Sequence, residues 1–221
     1  GVEAGRFYTK AGPLMASVDM FDIHIAGIGG HGAYPQDTRD PVIAAAATVM
    51  ALQSIVSRNH SAFDDLVVSV TQIHTGSAEN VIPDTAYING TVRTFENSVK
   101  AMVKLRMQEI LAGQAASFGV TAELTYSKGY PATVNDPEKT DFAVEVAREV
   151  VGFDKVDASH GREMGAEDFS YMLQDRPGCY LFLTQGESAS LHHPRYDFND
   201  RISPIGASFF ARLVERAQPL G

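Results

Sequence analysis

The chain has 221 residues and a formal charge of −9 at pH 7, from 18 Lys and Arg against 27 Asp and Glu. Hydrophobic residues make up 44% and charged residues 20%, which is typical of a globular protein and argues against intrinsic disorder. The acidic balance argues against a nucleic-acid partner, because phosphate binding depends largely on Lys and Arg. The length allows one or two domains, and small molecules or proteins are the expected partners.

Residue patterns over the first half of the chain predict six elements in the order β-α-β-β-α-β. Strict alternation of apolar and polar residues predicts the first strand, and Asp40 followed by Pro41 predicts the start of the first helix. Ser98 is the expected cap of the second helix, and Gly119 its end. The predicted elements cover residues 19–26, 41–59, 66–73, 85–93, 99–118 and 121–126. This order is typical of a ferredoxin-like sandwich, in which two helices cover one antiparallel sheet.

The first predicted helix carries one apolar stripe, formed at spacings of three and four residues by Val42, Ala45, Val49, Leu52 and Val56. We expect this stripe to be the buried face of the helix. No run of about 18 apolar residues is apparent that would span a bilayer. The first ten residues also lack a leader pattern, so the sequence predicts a soluble, cytoplasmic protein with no membrane partner.

A different pattern follows the sandwich. Residues 135–138 predict the start of a helix that ends at Gly152, a short helix is expected over 167–174, and Ser203 begins a last helix. The apolar run 179–183 is typical of a strand buried on both faces of a parallel sheet. One such strand cannot form a covered sheet, so we expect this part to complete a sheet whose other strands lie elsewhere.

The single cysteine, Cys179, excludes an internal disulfide and Cys-based zinc sites, and it fits a reducing compartment. Because it lies in an apolar run, we expect a buried, unreactive thiol. The chain begins with Gly1 and not with Met, and we expect that a preceding segment belongs to the protein.

Polar residues in predicted loops are the candidates for chemistry. The segment 191–200 contains adjacent histidines, of which one is a candidate metal ligand, with an ordinary polar loop as the alternative. His31 lies in a glycine-rich turn that allows close approach to a ligand, or it is an ordinary hairpin-tip histidine. Asn80 and Arg93 are expected to converge on a substrate carboxylate, with a turn asparagine and a solvated arginine as the alternative. Glu167 is either a site residue or a first-turn helix acid.

Five motifs, taken together and in order, carry a family resemblance. They are Gly-Gly-His-Gly-Ala-Tyr-Pro at 29–35, Asn-Val-Ile-Pro-Asp at 80–84, Gly-Thr-Val-Arg-Thr-Phe at 90–95, Met-Gly-Ala-Glu-Asp-Phe at 164–169 and Leu-His-His-Pro-Arg-Tyr-Asp-Phe at 191–198. Across essentially all 221 residues the chain resembles the amidohydrolases of the aminoacylase and carboxypeptidase metallopeptidase group, in their hippurate hydrolase-like subfamily.

The resemblance implies an α/β fold with two parts. Residues 17–128 would form the ferredoxin-like βαββαβ lid, which is also the dimerisation domain. Residues 129–221 would form the incomplete carboxyl-terminal part of an α/β metallopeptidase catalytic domain, and residues 1–16 the end of a preceding catalytic segment and a linker. The implied partner in assembly is a second copy of the chain.

The resemblance also implies roles for five residues. His192 resembles the final ligand of a two-metal site for divalent ions such as zinc or manganese. His31 resembles the lid histidine that crosses to the partner's active site and stabilises the oxyanion of the tetrahedral intermediate. Asn80 and Arg93 resemble lid residues near the substrate, with Arg93 holding the amino-acid carboxylate, and Glu167 lies in a motif near the pocket without an assigned role. The implied reaction is hydrolysis of an N-acyl amino acid by metal-activated water.

Other parts of that active site are absent from the sequence. The family's Cys-Gly-His-Asp type segment, its Glu-Glu pair with the general base and a further histidine do not occur, so we predict that this chain alone does not hydrolyse amides. A dipeptidase or a deacetylase of the same group is an alternative within the enzymes. A non-catalytic dimerisation or binding module is the alternative from another class, and an open reading frame upstream of Gly1 that encodes the missing ligands would favour the enzyme.

Overall fold

The computed structural model of the protein describes residues 3–218. The chain divides into two compact units. The first contains residues 16–132 together with 164–166, and we call it the sandwich unit. The second is built from both terminal parts of the chain, namely the segment up to Met15, residues 133–163 and the segment from Glu167 onward. We call it the terminal unit.

Both strands and α-helices contribute to the fold. Between residues 3 and 218 the strands are β1 (Phe7–Tyr8), β2 (Gly12–Met15), β3 (Ser17–Ala26), β4 (Gly30–His31), β5 (Leu66–Thr75), β6 (Val81–Ile82), β7 (Thr85–Thr94), β8 (Thr121–Lys128), β9 (Thr133–Asn135), β10 (Val156–Asp157) and β11 (Phe182–Leu183). The α-helices over the same residues are α1 (Pro41–Ser54), α2 (Asn97–Phe118), α3 (Pro137–Val151), α4 (Phe169–Asp175) and α5 (Ser203–Ala217).

The sandwich unit has the predicted β-α-β-β-α-β order. Its antiparallel sheet has the strand order β5-β7-β3-β8, and α1 and α2 pack on one face over a core that includes Phe21, Ile23 and Ile88. Gly90 in the middle of β7 is required, since a Cβ there would lie 2.3 Å from the Phe21 ring and 2.2 Å from the Ser69 carbonyl oxygen. The ferredoxin-like sandwich is therefore confirmed.

The helix ends of this unit follow the predictions in part. Asp40 accepts a hydrogen bond from Val42 N at 2.8 Å and caps α1. Gly119, with a φ of 65°, ends α2 in the left-handed conformation. The predicted cap at Ser98 is wrong, because α2 already begins at Asn97 and its first turn receives no side-chain hydrogen bond from the preceding residue.

The buried face of α1 differs from the predicted stripe. Ala44, Ala45 and Leu52 are buried, whereas Val42 and Val56 are exposed. Ala45 and Leu52 belong to the predicted stripe, and Val49 of that stripe packs against the core, while Ala44 joins the buried face from outside it. The stripe prediction was right for its three middle positions and wrong for the two end positions, Val42 and Val56, because spacing alone does not distinguish two apolar faces of one helix.

The helical segment Pro41–Asn59 also corrects the expectation about membrane spans. With 19 residues and a mean hydropathy of 1.4, it is long and apolar enough to cross a bilayer by length and composition alone. Polar residues such as Thr48 and Gln53 interrupt the apolar run, but many alanines and valines keep the average high. A third of this segment is buried, and α1 packs on the sheet as a core helix of the sandwich.

The terminal unit has a small sheet with the strand order β10-β1-β11, in which β1 is parallel to β10 and antiparallel to β11. Helices α3 and α5 cover one face of it, with Phe7, Val146 and Phe209 in the core. Short strands β2 and β9 form a separate antiparallel pair.

The predicted strand 179–183 is wrong in length, pairing and burial. Only Phe182–Leu183 forms a ladder, and it pairs antiparallel with β1 and is half-buried. Cys179, Leu181 and Leu183 pack against the α3 and α5 core, while Tyr180 alternates to the opposite face. Helix α4 starts at Phe169, two residues later than predicted.

Asn135 connects three segments of the terminal unit. Its buried side-chain nitrogen lies 3.1 Å from Thr9 Oγ1, 2.9 Å from Lys10 O and 3.0 Å from Tyr180 O, and its side-chain oxygen accepts from Tyr180 N at 2.7 Å. Cys179 lies beside this network, and partial burial raises the pKa of its thiol. The thiol is thus kept protonated, as expected for an unreactive cysteine.

Candidate functional site

A small ladder of two short strands in the sandwich unit, which we call the β4–β6 ladder, places His31 next to Asn80. Strand β4 pairs antiparallel with β6, which sets His31 opposite Val81. Gly32 N then donates to Asn80 O at 2.8 Å. The side chains of His31 and Asn80 are both exposed. The structure therefore brings together two of the candidate site residues that the sequence indicated.

The His31 imidazole is held within its own turn. Ala33 N donates to His31 Nδ1 at 3.1 Å, and the ring lies 5.5 Å from the Tyr34 ring between centroids. Ile28, just before β4, and Val81, in β6, are exposed apolar residues of the same region. His31 thus presents a polar ring from a largely apolar tip.

Asp84, the last residue of the second motif, supports the β4–β6 ladder. Its Oδ1 accepts from Gly29 N at 2.8 Å, and its carbonyl oxygen accepts from Gly27 N at 2.8 Å. A Cβ at Gly29 would lie 2.5 Å from the Ile82 carbonyl oxygen, so a side chain does not fit there. Sequence reasoning treated Asp84 only as a turn residue and missed this contact.

Arg93 lies at the other end of the same sheet. It is half-buried on the face away from the helices, between Val18 of β3 and Val67 of β5 in the strand register. Strand β6 of the ladder leads into the sheet at Thr85, and eight residues of strand at about 3.3 Å each separate Arg93 from that end by about 26 Å. Asn80 and Arg93 therefore do not converge within one copy of the chain, because β7 is fully extended between them.

Glu167 belongs to the terminal unit and is oriented by a tyrosine. Tyr180 Oη donates to Glu167 Oε2 at 3.2 Å, and Asp168 N donates to Glu167 Oε1 at 3.0 Å. Burial, with a contribution from the Glu167 carboxylate, raises the pKa of Tyr180 to about 12. Tyr180 therefore remains a hydrogen-bond donor at neutral pH and holds the Glu167 carboxylate in place. This pair could not be predicted from the sequence, because Tyr180 lies in an apolar run.

His192 and His193 differ in their surroundings. His193 Nδ1 accepts from Arg195 N at 3.0 Å, and His193 O accepts from Tyr196 N at 2.8 Å, so this residue is bound in its own loop. His192 is exposed and has a φ of 65°, and in the described range it is the one residue other than glycine with a left-handed backbone. Such strained residues concentrate at functional sites. The geometry favours His192 over its neighbour as the available ligand.

A groove of about 660 Å³ lies in the terminal unit, and Leu191 beside His192 is part of its lining. Tyr8 forms its aromatic floor, stacked on Phe182 at 4.7 Å and close to His160 at 4.2 Å between ring centroids. His160 Nε2 contacts Glu163 Oε1 at 3.0 Å. Sequence reasoning missed this groove, although the spacing of His160 and Glu163 could have indicated the pair.

The residues present do not form a complete metal centre. Over residues 3–218, no group of three or more His, Cys, Asp and Glu side chains lies close enough to hold a metal ion. A catalytic zinc site needs about three protein ligands. His192 can therefore supply at most one of them in this chain.

Residues 9–216 match the family model described as peptidase family M20/M25/M40. The chain belongs to this family. The resemblance that the five motifs carried is confirmed, and so is the mixed α/β fold class.

Several characterised members of the family are similar in sequence. The chain is 36% identical over 209 residues to hippurate hydrolase of Campylobacter jejuni, covering 95% of this chain and 55% of that protein. It is 36% identical over 210 residues to N-acetylcysteine deacetylase of Bacillus subtilis, covering 95% and 54% respectively. The chain thus spans about half the length of the curated relatives it matches.

A solved structure of the family has the same fold. The YXEP protein of Bacillus subtilis, described as a dinuclear metal binding peptidase, superimposes with a TM-score of 0.76 at 30% identity. The match covers 98% of this chain and 54% of that one. The family's members include hydrolases and a metal-binding peptidase, which agrees with the reaction class and the divalent cofactor that the motifs implied.

Proposed function

We propose that this chain supplies the lid and the carboxyl-terminal part of a metal-dependent amidohydrolase that acts on N-acyl amino acids, hippurate among them. The observation that carries the proposal is the β4–β6 ladder, which presents His31 beside Asn80 in a member of the M20/M25/M40 family. The division into a lid at 17–128 and a catalytic part at 129–221 is part of the same proposal. The active protein is cytoplasmic in this account.

His31 is proposed as the catalytic donor. Its ring is exposed at the end of the β4–β6 ladder, with Tyr34 and the apolar Val81 beside it. A fixed N–H group that points at a developing oxyanion stabilises it most when apolar neighbours exclude water. The adjacent Asn80 amide is proposed to bind the substrate through a further hydrogen bond.

Arg93 is proposed to hold the substrate carboxylate. It lies between two valines, and its guanidinium forms no ion pair in the described structure. A planar guanidinium pairs with a carboxylate through two parallel hydrogen bonds. Glu167, held by Tyr180, is proposed as a further substrate-binding residue in the terminal unit.

The distance between His31 and Arg93 supports a homodimer. In an N-acyl amino acid, the carboxylate and the amide carbon lie only a few ångströms apart. Arg93, in contrast, is about 26 Å along β7 from the end that leads to the β4–β6 ladder and His31. One copy of the chain cannot bring both residues to one substrate. A second copy that contributes its His31 resolves this conflict.

The edge of the sandwich unit is the proposed dimer surface. Strand β5 lies at the edge of the sheet, where its backbone groups are available for pairing, and it exposes Val67 and Ile73. On α1, Ile43 is 54% and Met50 is 73% exposed, and the two lie seven residues apart on one face of the helix. A second copy would cover these apolar residues.

The implied cofactor is a divalent metal ion, zinc or manganese, with His192 as the proposed ligand in this chain. Because the described residues do not complete a metal centre, we propose that the chain alone does not hydrolyse amides. The acyl group of the substrate is proposed to be benzoyl, as in hippurate, with acetyl as the alternative. The similarity to a deacetylase supports the alternative.

A chimera tests this function. The part of C. jejuni hippurate hydrolase that matches this chain is replaced by the chain, and metal-dependent hydrolysis of hippurate is measured. We expect an active dimer in which His31→Ala lowers kcat by about 100- to 1,000-fold and Arg93→Ala mainly raises KM. His60→Ala, in the turn after α1, serves as the matched control with unchanged activity. A chimera that is dimeric and binds its metal ions, but keeps full activity with His31→Ala, contradicts the proposal.

A further inference from the structure

The turn after β4 holds the His31 side chain through its backbone. Tyr34 N donates to His31 O at 2.8 Å and closes the turn, and Gly32 N donates to Asn80 O. A Cβ at Gly32 would lie 3.2 Å from Asn80 O, a tight contact that would require a small shift of this backbone. In this fixed turn the nitrogen of Ala33 lies 3.1 Å from His31 Nδ1 and donates to it.

This hydrogen bond determines where the imidazole carries its proton. A neutral imidazole has one N–H donor and one acceptor nitrogen, and its hydrogen bonds decide which is which. Because Nδ1 of His31 accepts from Ala33, Nδ1 carries the lone pair and the proton lies on Nε2. We infer that the backbone amide of Ala33 fixes neutral His31 as the Nε2–H tautomer and that Ala33 is a positioning residue for the lid donor.

The tautomer matters because the two forms act in opposite ways on a negatively charged oxygen. Nε2–H, which points away from the turn, donates a hydrogen bond to it, whereas the other tautomer presents a lone pair that repels it. The catalytic meaning of the inference rests on the proposed function. The tautomer itself is a property of this chain and can be measured without activity.

The first measurement uses the unsubstituted chain labelled with nitrogen-15, at a pH at which its histidines are neutral. Two-bond proton–nitrogen correlation spectra report the tautomer of each imidazole, and a coupling across the hydrogen bond connects Ala33 N with His31 Nδ1. We expect a single Nε2–H tautomer for His31 with this coupling present. A protonated Nδ1, or exchange between the two tautomers, overturns the inference.

A pair of variants then isolates the amide. Ala33→Pro removes the N–H donor, and Ala33→Gly keeps it. We expect tautomer exchange and loss of the coupling in Ala33→Pro, and spectra like those of the unsubstituted chain in Ala33→Gly. An unchanged Nε2–H population in Ala33→Pro, with the amide shifts of Gly32 and Val81 retained, overturns the inference. If those shifts move, the β4–β6 ladder is disturbed, and the coupling measured in the unsubstituted chain then decides whether the inference holds.

The proposed function fails by a different result. If the chimera stays fully active with His31→Ala, the catalytic role is lost while the tautomer assignment stands. If His31 shows the wrong tautomer and the chimera still needs His31, the function stands and the role of Ala33 is lost.

Discussion

Lys100 Nζ lies 3.0 Å from Oδ1 of Asp19, and the Asp19 side chain is only 1% exposed. Tyr126 Oη donates to Oδ2 of the same carboxylate at 3.1 Å, and Gly129 N lies 3.3 Å from Oδ1. This buried group joins strands β3 and β8 to helix α2 at the end of the sheet that bears Arg93. Burial raises the pKa of Tyr126, and the nearby Asp19 carboxylate raises it further, so Tyr126 stays a hydrogen-bond donor.

Removal of the Lys100 charge is expected to destabilise the protein strongly. Lys100→Met leaves a buried carboxylate without its counter-charge, which costs about 3 kcal/mol of unfolding free energy. The double variant Asp19→Asn with Lys100→Met should recover part of this loss. Urea unfolding measures both values. Lys139→Met, in an exposed pair with Glu138, is the control and should cost less than about 1 kcal/mol, and a similarly small loss for Lys100→Met would contradict this description.

Asp22 gives the outer face of the sheet a pH-dependent contribution to stability. Tyr87 Oη and Asn89 Nδ2 donate to its carboxylate, and these bonds, that from Tyr87 first, lower the pKa of Asp22. A lowered folded-state pKa means that the stabilisation is complete above the unfolded value of about 3.9 and is lost as the pH falls through the folded value. Asp22→Asn should therefore cost about 1 kcal/mol at pH 7, reduced by exposure to solvent.

The comparison is made by unfolding the wild type and Asp22→Asn at several pH values between neutral and acid. The stability difference should shrink and vanish on the acid side of the usual aspartate pKa. Glu123→Gln, an exposed carboxylate on β8, is the control and should show little difference throughout. A difference between wild type and Asp22→Asn that grows as the pH falls would show that the sign is wrong.

The proposed dimer surface makes a prediction about a single side chain. Met50→Lys places a charge at the centre of the exposed apolar face of α1, so we expect it to convert a dimer into a monomer at micromolar concentration. Leu105→Lys on α2 is the matched control, because Leu105 is 55% exposed outside this face, and it should remain dimeric. Equilibrium sedimentation distinguishes these states. A monomeric wild-type chain, or a dimeric Met50→Lys variant, contradicts the proposed surface.

The sandwich could be predicted from sequence because strands β3 and β7 alternate regularly between a buried and a more exposed face. In β3, Phe21, Ile23 and Ile25 are all buried, as period two requires. The β4–β6 ladder could not be predicted in the same way, because strands of two residues show no alternation of apolar and polar residues and these two lie far apart in the sequence. Its position depends on backbone contacts such as Gly32 N to Asn80 O.

The terminal unit was harder to predict because aromatic residues conceal alternation. In the run 179–183 both faces are apolar by composition, yet Leu181 packs on the helices while Tyr180 turns to Glu167. The sequence likewise placed Asn80 and Arg93 in one site, whereas the extended backbone of β7 places them at opposite ends. A motif indicates which residues are candidates for a site, but the distances between them depend on the lengths of the strands that carry them.

Hydrolysis of hippurate by the purified 221-residue chain is the most direct test of the central claim, which is that the chain supplies the lid donor and one metal ligand but no complete metal centre. Benzoate release is measured with added zinc or manganese and compared with the metal ions alone. We predict no release above that background. Metal-dependent release of benzoate by the chain would contradict the account.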